Sequence, residues 1–107
     1  MTDFKDRERA EEAKFAMDSD LAFRISARRD RLLGYWAAEK MDLTPEETEA
    51  YAKAVIQANF EEAGDEDVIR KVLGDLVAAD CDIDEAGVRA ALAAKSVEAK
   101  RQLMSEI

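Results

Sequence analysis

The sequence predicts an all-α protein: a four-helix bundle led by a flexible or extended N-terminal helical arm. Three observations carry this. Apolar residues recur every three or four positions, and no stretch alternates with the period of two that a strand needs. Helix-stop and helix-start residues gather in three short clusters, near residues 41–45, 61–65 and 80–85. A length of 107 residues suits one domain with one modest core. The expected division is an arm over residues 1–18 and a bundle over residues 19–107.

The arm comes first. Thr2 or Asp3 can cap a helix, and Asp3–Arg7, Lys5–Glu8, Arg9–Glu12 and Glu11–Lys14 are spaced to pair along it. Phe4 and Phe15 share a face, three turns apart, with Glu8 and Glu11 between them. A helix of ~15 residues with so thin an apolar stripe is marginal in water unless it docks. Asp18-Ser19-Asp20 prefer caps to helix interiors, so a hinge or a helix start is expected there.

The first bundle helix follows to about Met41, and Leu21, Ile25, Leu32 and Trp36 mark its expected buried face. Arg28 falls on that stripe, where its stem can pack while its head reaches water. Phe23 points away from the stripe and is a candidate exposed aromatic.

Thr44-Pro45-Glu46-Glu47 is the clearest helix start: a capping threonine, proline in the first turn and a glutamate to close a capping box. The second helix should bury Ala52, Val55, Ile56 and Asn59 or Phe60, and Gly64 is a natural stop. Asp65-Glu66-Asp67 set three acids against the positive end of the third helix, whose apolar face is Val68, Ile69, Val72, Leu73, Leu76 and Val77. Gly74 sits inside it, either at a close helix approach or on the solvent side. Ile83, Asp84 and Val88 fit a hydrophobic staple around a cap, opening a fourth helix through Leu92, Ala99 and Leu103. Short links place consecutive helices antiparallel.

Composition narrows function. With 48% hydrophobic and 38% charged residues the chain reads as globular. No apolar run approaches the ~20 residues of a membrane span, and no signal-peptide core leads the chain, so a cytoplasmic location without membrane insertion is expected. The lone Cys81 forms no disulfide within the chain and fits a reducing compartment. Without histidine the usual base near neutral pH is missing, so the protein is not expected to be an enzyme. A net charge of −9 argues against nucleic acid. The charge is uneven: residues 42–87 hold fourteen acids against Lys53, Arg70 and Lys71.

Arg24, Arg28, Arg29 and Arg31 form the opposing basic patch. Pairing with the acidic second and third helices is the favoured reading; a secondary site for a nucleotide, another ligand or a partner is the alternative. Asp80 to Gly87 imitates a calcium loop but offers Glu85 and Ala91 where that loop needs glycine and glutamate, so capping is preferred and no metal or cofactor is expected. Asp65-Glu66-Asp67 is explained by the helix dipole. Trp36 and Tyr35 read as core and rim. No serine or cysteine has a histidine partner, and no phosphate-binding glycine motif is present.

The run from Phe4 to Ala16, FKDRERAEEAKFA, resembles the N-terminus of the zeta subunit of bacterial F-type ATP synthases, the ATPase inhibitor of α-proteobacteria. The likeness continues through Ala27-Arg28-Arg29, Arg31-Leu32-Leu33-Gly34, Trp36-Ala37 and Gly64-Asp65-Glu66-Asp67-Val68, and covers essentially the whole chain. It implies a four-helix bundle with a mobile N-terminal segment that enters the catalytic sector at an interface between alpha and beta subunits, near the rotary gamma subunit. There the segment becomes helical and blocks rotation in the hydrolytic direction, while the bundle stays outside as a stop. Carried onto this chain, the inhibitory residues would be Phe4, Lys5, Arg7, Glu8, Arg9, Glu11, Lys14 and Phe15. The resemblance also implies attachment to the cytoplasmic face of the membrane through ATP synthase, and a nucleotide contact on the bundle not assigned to particular residues. The free protein is expected to be monomeric. The alternative is a nucleotide- or ligand-binding bundle without inhibitory activity.

Overall fold

A computed structural model describes the backbone of residues 3–61 and 65–106 and the side chains of residues 20–59 and 65–106. It contains four helices: α1 (Asp3–Lys40), α2 (Pro45–Glu61), α3 (Asp65–Ala78) and α4 (Glu85–Glu106). Among the described residues there is no strand. The helices pack in the cyclic order α1, α2, α3, α4, with α1 also meeting α3 across the diagonal. Thus α1 touches every other helix, as the bundle's central column.

The helix ends follow from local chemistry. The Glu47 amide donates to Thr44 Oγ1 (3.2 Å) and the Thr44 amide to Glu47 Oε1 (2.9 Å), the reciprocal capping box that the sequence predicts. The Gly87 amide donates to Asp84 Oδ1 (2.9 Å) and caps α4. At the other ends, Asp42 (φ 57°) and Asp80 (φ 60°) turn the chain through the left-handed region. Behind them the Leu43 amide reaches the Ala38 carbonyl and the Cys81 amide the Leu76 carbonyl, so α1 and α3 both end in a Schellman motif. Aspartate stands there in place of the usual glycine. The proposed stop of α2 at Gly64 and the Thr2 cap lie outside the described residues.

The core is Leu33, Ala37, Val55, Val68, Ile69, Val72, Leu76, Val88 and Leu92, each 6% exposed or less, with Ala99 and Leu103 extending it along α4. Three expectations change. The buried seam of α1 is Asp30, Leu33, Gly34, Ala37 and Ala38; Leu21, Ile25, Leu32 and Trp36 flank it, half-buried. The cause is a column packed on three sides, whose closest contacts need small residues that carry little hydropathy. A Cβ on Gly34 would lie 2.7 Å from Ala52 Cα, so α1 and α2 approach backbone to backbone there. Gly74 is the solvent-side glycine, with nothing within 4 Å of a Cβ built on it. Val77 is 60% exposed because it falls past the edge of the arc set by Val68, Ile69, Val72 and Leu76. Finally, α1 runs unbroken through Asp18-Ser19-Asp20, where the capping residues predict a hinge or a start.

Candidate functional site

The arginines between residues 24 and 31 separate into two groups. Arg29 turns inward. Its Nε donates to Asp30 Oδ1 (3.0 Å) and its Nη1 pairs with Asp65 Oδ1 (3.0 Å) at the head of α3. Asp30 is fully buried, and its Oδ2 accepts from Asn59 Nδ2 (2.8 Å) on α2. Asn59 also donates to Ser26 Oγ (3.1 Å). The cluster Ser26–Arg29–Asp30–Asn59–Asp65 therefore ties α1, α2 and α3 together. Burial pushes the Asp30 carboxyl above the ordinary aspartate range, against the opposing pull of Arg29 and the hydrogen bonds.

Arg24, Arg28 and Arg31 lie at i, i+4 and i+7 and share an outer face of α1. Arg24 Nε is 4.0 Å from Asp20. Arg28 donates to Gln102 Oε1 (2.8 Å) and Glu106 Oε1 (3.2 Å) at the end of α4. Arg31 Nε donates to Tyr35 Oη (2.7 Å), whose hydroxyl donates in turn to Glu49 Oε1 (2.8 Å) on α2. With Phe23, Ala27, Ile56 and Leu103 these arginines line an open groove of about 260 Å³. Phe23 is 53% exposed beside it.

The side chains of Phe4, Lys5, Arg7, Glu8, Arg9, Glu11, Lys14 and Phe15 lie outside those described; their backbone belongs to α1. The acids opening α3 each meet a different arginine: Asp65 meets Arg29, Glu66 meets Arg89 at 2.7 Å, and Asp67 meets Arg70 at 3.5 Å. In the Asp80–Gly87 tract, Asp80 turns the chain and Asp84 caps α4. Cys81 Sγ donates to the Lys40 carbonyl (3.3 Å) and so closes the end of α1. No three of His, Cys, Asp and Glu come together as a metal site among the described residues.

Sequence reasoning overlooked Asp30 and Ser26. Asp30 is the one acid among four arginines, but its seam position shows only once Leu33 and Gly34 are seen to face the other helices. A charge at a seam position points to a buried partner.

Charged side chains engaged with one another and three helices packed around the column α1 define an all-helical bundle protein. Comparison with known families makes this specific. The family model for ATPase inhibitor subunit zeta matches residues 1–102, and the chain belongs to that family. Among solved structures, one determined by solution NMR is 48% identical, with a TM-score of 0.70 over 79% of this chain and 96% of that one. No curated protein gives a significant match. Family membership supports a role as an ATP synthase inhibitor, a class that is generally non-enzymatic. No helix among the described residues is long and apolar enough to cross a membrane.

Proposed function

We propose that this chain inhibits ATP hydrolysis by inserting the N-terminal part of α1 into an F-type ATP synthase, at a catalytic interface between alpha and beta subunits near the rotary gamma subunit. The bundle remains outside as a stop. Membership of the zeta inhibitor family, over a match that includes the whole arm, carries this reading.

The physical requirements agree. α1 is one helix of 38 residues, about 57 Å long at 1.5 Å per residue, whereas α2 has 17. Its first half therefore reaches well past the end of a helix the length of α2. Wedged between large subunits, Phe4 and Phe15 would each contribute about 1.5–3 kcal/mol on full burial. Lys5, Arg7, Arg9 and Lys14 would pair with acidic groups there, and Glu8 and Glu11 with basic ones. Ordering costs about 1–2 kcal/mol per residue and falls where the helix is already formed. The association would hold the protein at the cytoplasmic face of the membrane.

The test is ATP hydrolysis by the isolated catalytic sector of the cognate synthase, with the intact protein and with a version lacking residues 1–17. Inhibition by the intact protein alone is expected. Inhibition by both would move the effector onto the bundle, and inhibition by neither would overturn the reading.

A further inference from the structure

We propose that the outward face of α4, built from Ala90, Ala93, Val97, Lys100, Arg101 and Met104, docks an acidic amphipathic helix on the surface of the inhibited ATPase. This rests on the inhibitor reading above and adds a contact made by the bundle itself.

Charge selects the occupant. The chain carries −9 overall, yet residues 86–105 hold Arg89, Lys95, Lys100 and Arg101 against Glu98 alone, a balance of 4 − 1 = +3. Arg89 is taken by Glu66 (2.7 Å) and Glu85 (3.6 Å), and Lys95 by Glu98 (3.1 Å). Lys100 and Arg101 are exposed, and neither side chain has an ion pair or hydrogen bond with a described residue. The positive excess is therefore theirs. Glu98 turns to the α1 side, where it accepts from Gln102 (3.4 Å), itself an acceptor for Arg28. The outward face thus carries no acid, and a second copy presenting the same face would set these cations against their like.

Shape selects a helix. Ala90, Ala93, Val97, Lys100 and Met104 are all exposed and follow alternating steps of three and four, the spacing of a seam between two packed helices. Val97 and Met104, 60% and 54% exposed, stand two turns apart with Lys100 and Arg101 between them. An acidic helix can lay its apolar stripe on Val97 and Met104 while its carboxylates meet the two cations. Position favours the ATPase as its source. Arg28 donates to Gln102 and Glu106, so this end of α4 lies beside α1 on the side from which the arm continues. Arg28 follows Phe15 by 13 residues, about 20 Å along the helix. A large partner that holds the arm has the last turns of α4 within reach.

The test compares half-inhibitory concentrations against ATP hydrolysis by the isolated catalytic sector of the cognate synthase. Four full-length proteins are used: wild type, Lys100→Glu/Arg101→Glu, Val97→Ala/Met104→Ala, and the control Lys53→Glu/Arg70→Glu. The control makes the same change of charge at exposed positions of α2 and α3, and thermal melts verify that each protein folds. Lys100→Glu/Arg101→Glu is expected to raise the half-inhibitory concentration roughly tenfold over the control, a gap that narrows with added salt. Val97→Ala/Met104→Ala is expected to raise it about fivefold over wild type at any salt concentration. If wild type inhibits while both variants match their references, this surface is overturned and the inhibitor reading stands. A loss confined to one variant also overturns it: charge alone is steering at long range, and apolar contact alone does not select an acidic partner. If sedimentation shows a free dimer that Val97→Ala/Met104→Ala dissociates, the face belongs to a second copy and the proposal falls. If wild type does not inhibit, surface and inhibitor reading fall together. Should the charge variant fail to fold, Lys100→Gln/Arg101→Gln takes its place.

Discussion

Gly34 meets Ala52 backbone to backbone: a Cβ added to the glycine would lie 2.7 Å from Ala52 Cα and 3.2 Å from its Cβ. Neither contact can be relieved by turning a side chain. Gly34→Ala is therefore expected to destabilise the bundle by roughly 1–3 kcal/mol through forced separation of α1 and α2. Gly74→Ala has free space and is expected to stabilise by about 0.5–1 kcal/mol through helix propensity alone. Urea unfolding of both variants checks the pair; equal effects would refute the close approach.

Asp30 gives a pH-dependent prediction. Its carboxyl is raised above the ordinary aspartate value, first by burial. The native state thus holds this proton more tightly than the unfolded chain. Its contribution to stability falls as pH rises from about 3.9 to the folded value, and is constant above that. Asp30→Asn, which does not titrate, should lose roughly 1–3 kcal/mol through the weakened Arg29 contact. The wild-type advantage over it should shrink as pH rises through the window. An advantage that grows instead would show that Arg29 outweighs burial.

The capping box behaves in the opposite sense. Hydrogen bonds from the Thr44 amide and side chain hold the Glu47 carboxyl below its ordinary value. Its stabilising contribution is present above the unfolded glutamate range and disappears as pH falls through the depressed folded value. Thr44→Ala is expected to cost about 0.5–2 kcal/mol and to remove part of this acid sensitivity. Unfolding midpoints measured above and below the glutamate range test both statements.

The two left-handed aspartates are sites for stabilisation. Asp42→Gly and Asp80→Gly should each add about 0.5–1 kcal/mol by relieving positive φ and removing a negative charge from a helix C-terminus. Asp42→Ala relieves only the charge and should fall below Asp42→Gly. A melting-temperature order with alanine above glycine would contradict the Schellman geometry.

In the arm, Phe15→Ala is expected to weaken inhibition of ATP hydrolysis without lowering the melting temperature of the bundle, since the core residues among those described all lie beyond position 29. Undiminished inhibition by that variant would remove Phe15 as an anchor.

The fold was legible where one residue type has one physical use. Thr44, Pro45 and Glu47 can hardly do anything together except start a helix, and Val68, Val72, Val88 and Leu92 belong in a core by hydropathy alone. The seam of α1 was misplaced because Gly34, Ala37 and Ala38 matter through what they lack, and only the neighbouring helix shows how near it comes. Asp30 was hidden for a related reason: its partner Asn59 is 29 positions away, and no local pattern joins them. The arginine face was visible as charge, but the inward turn of Arg29 depends on that same buried carboxylate.

The helix that carries the proposed arm is also the column against which every other helix rests. Tension applied along the arm therefore does not peel the bundle apart one contact at a time. It acts parallel to the seams that join α1 to α2, α3 and α4, loading all three in shear together, and any slip of α1 must also drag Gly34 past Ala52. A chain built this way behaves as a tethered peg, anchored by its whole interior.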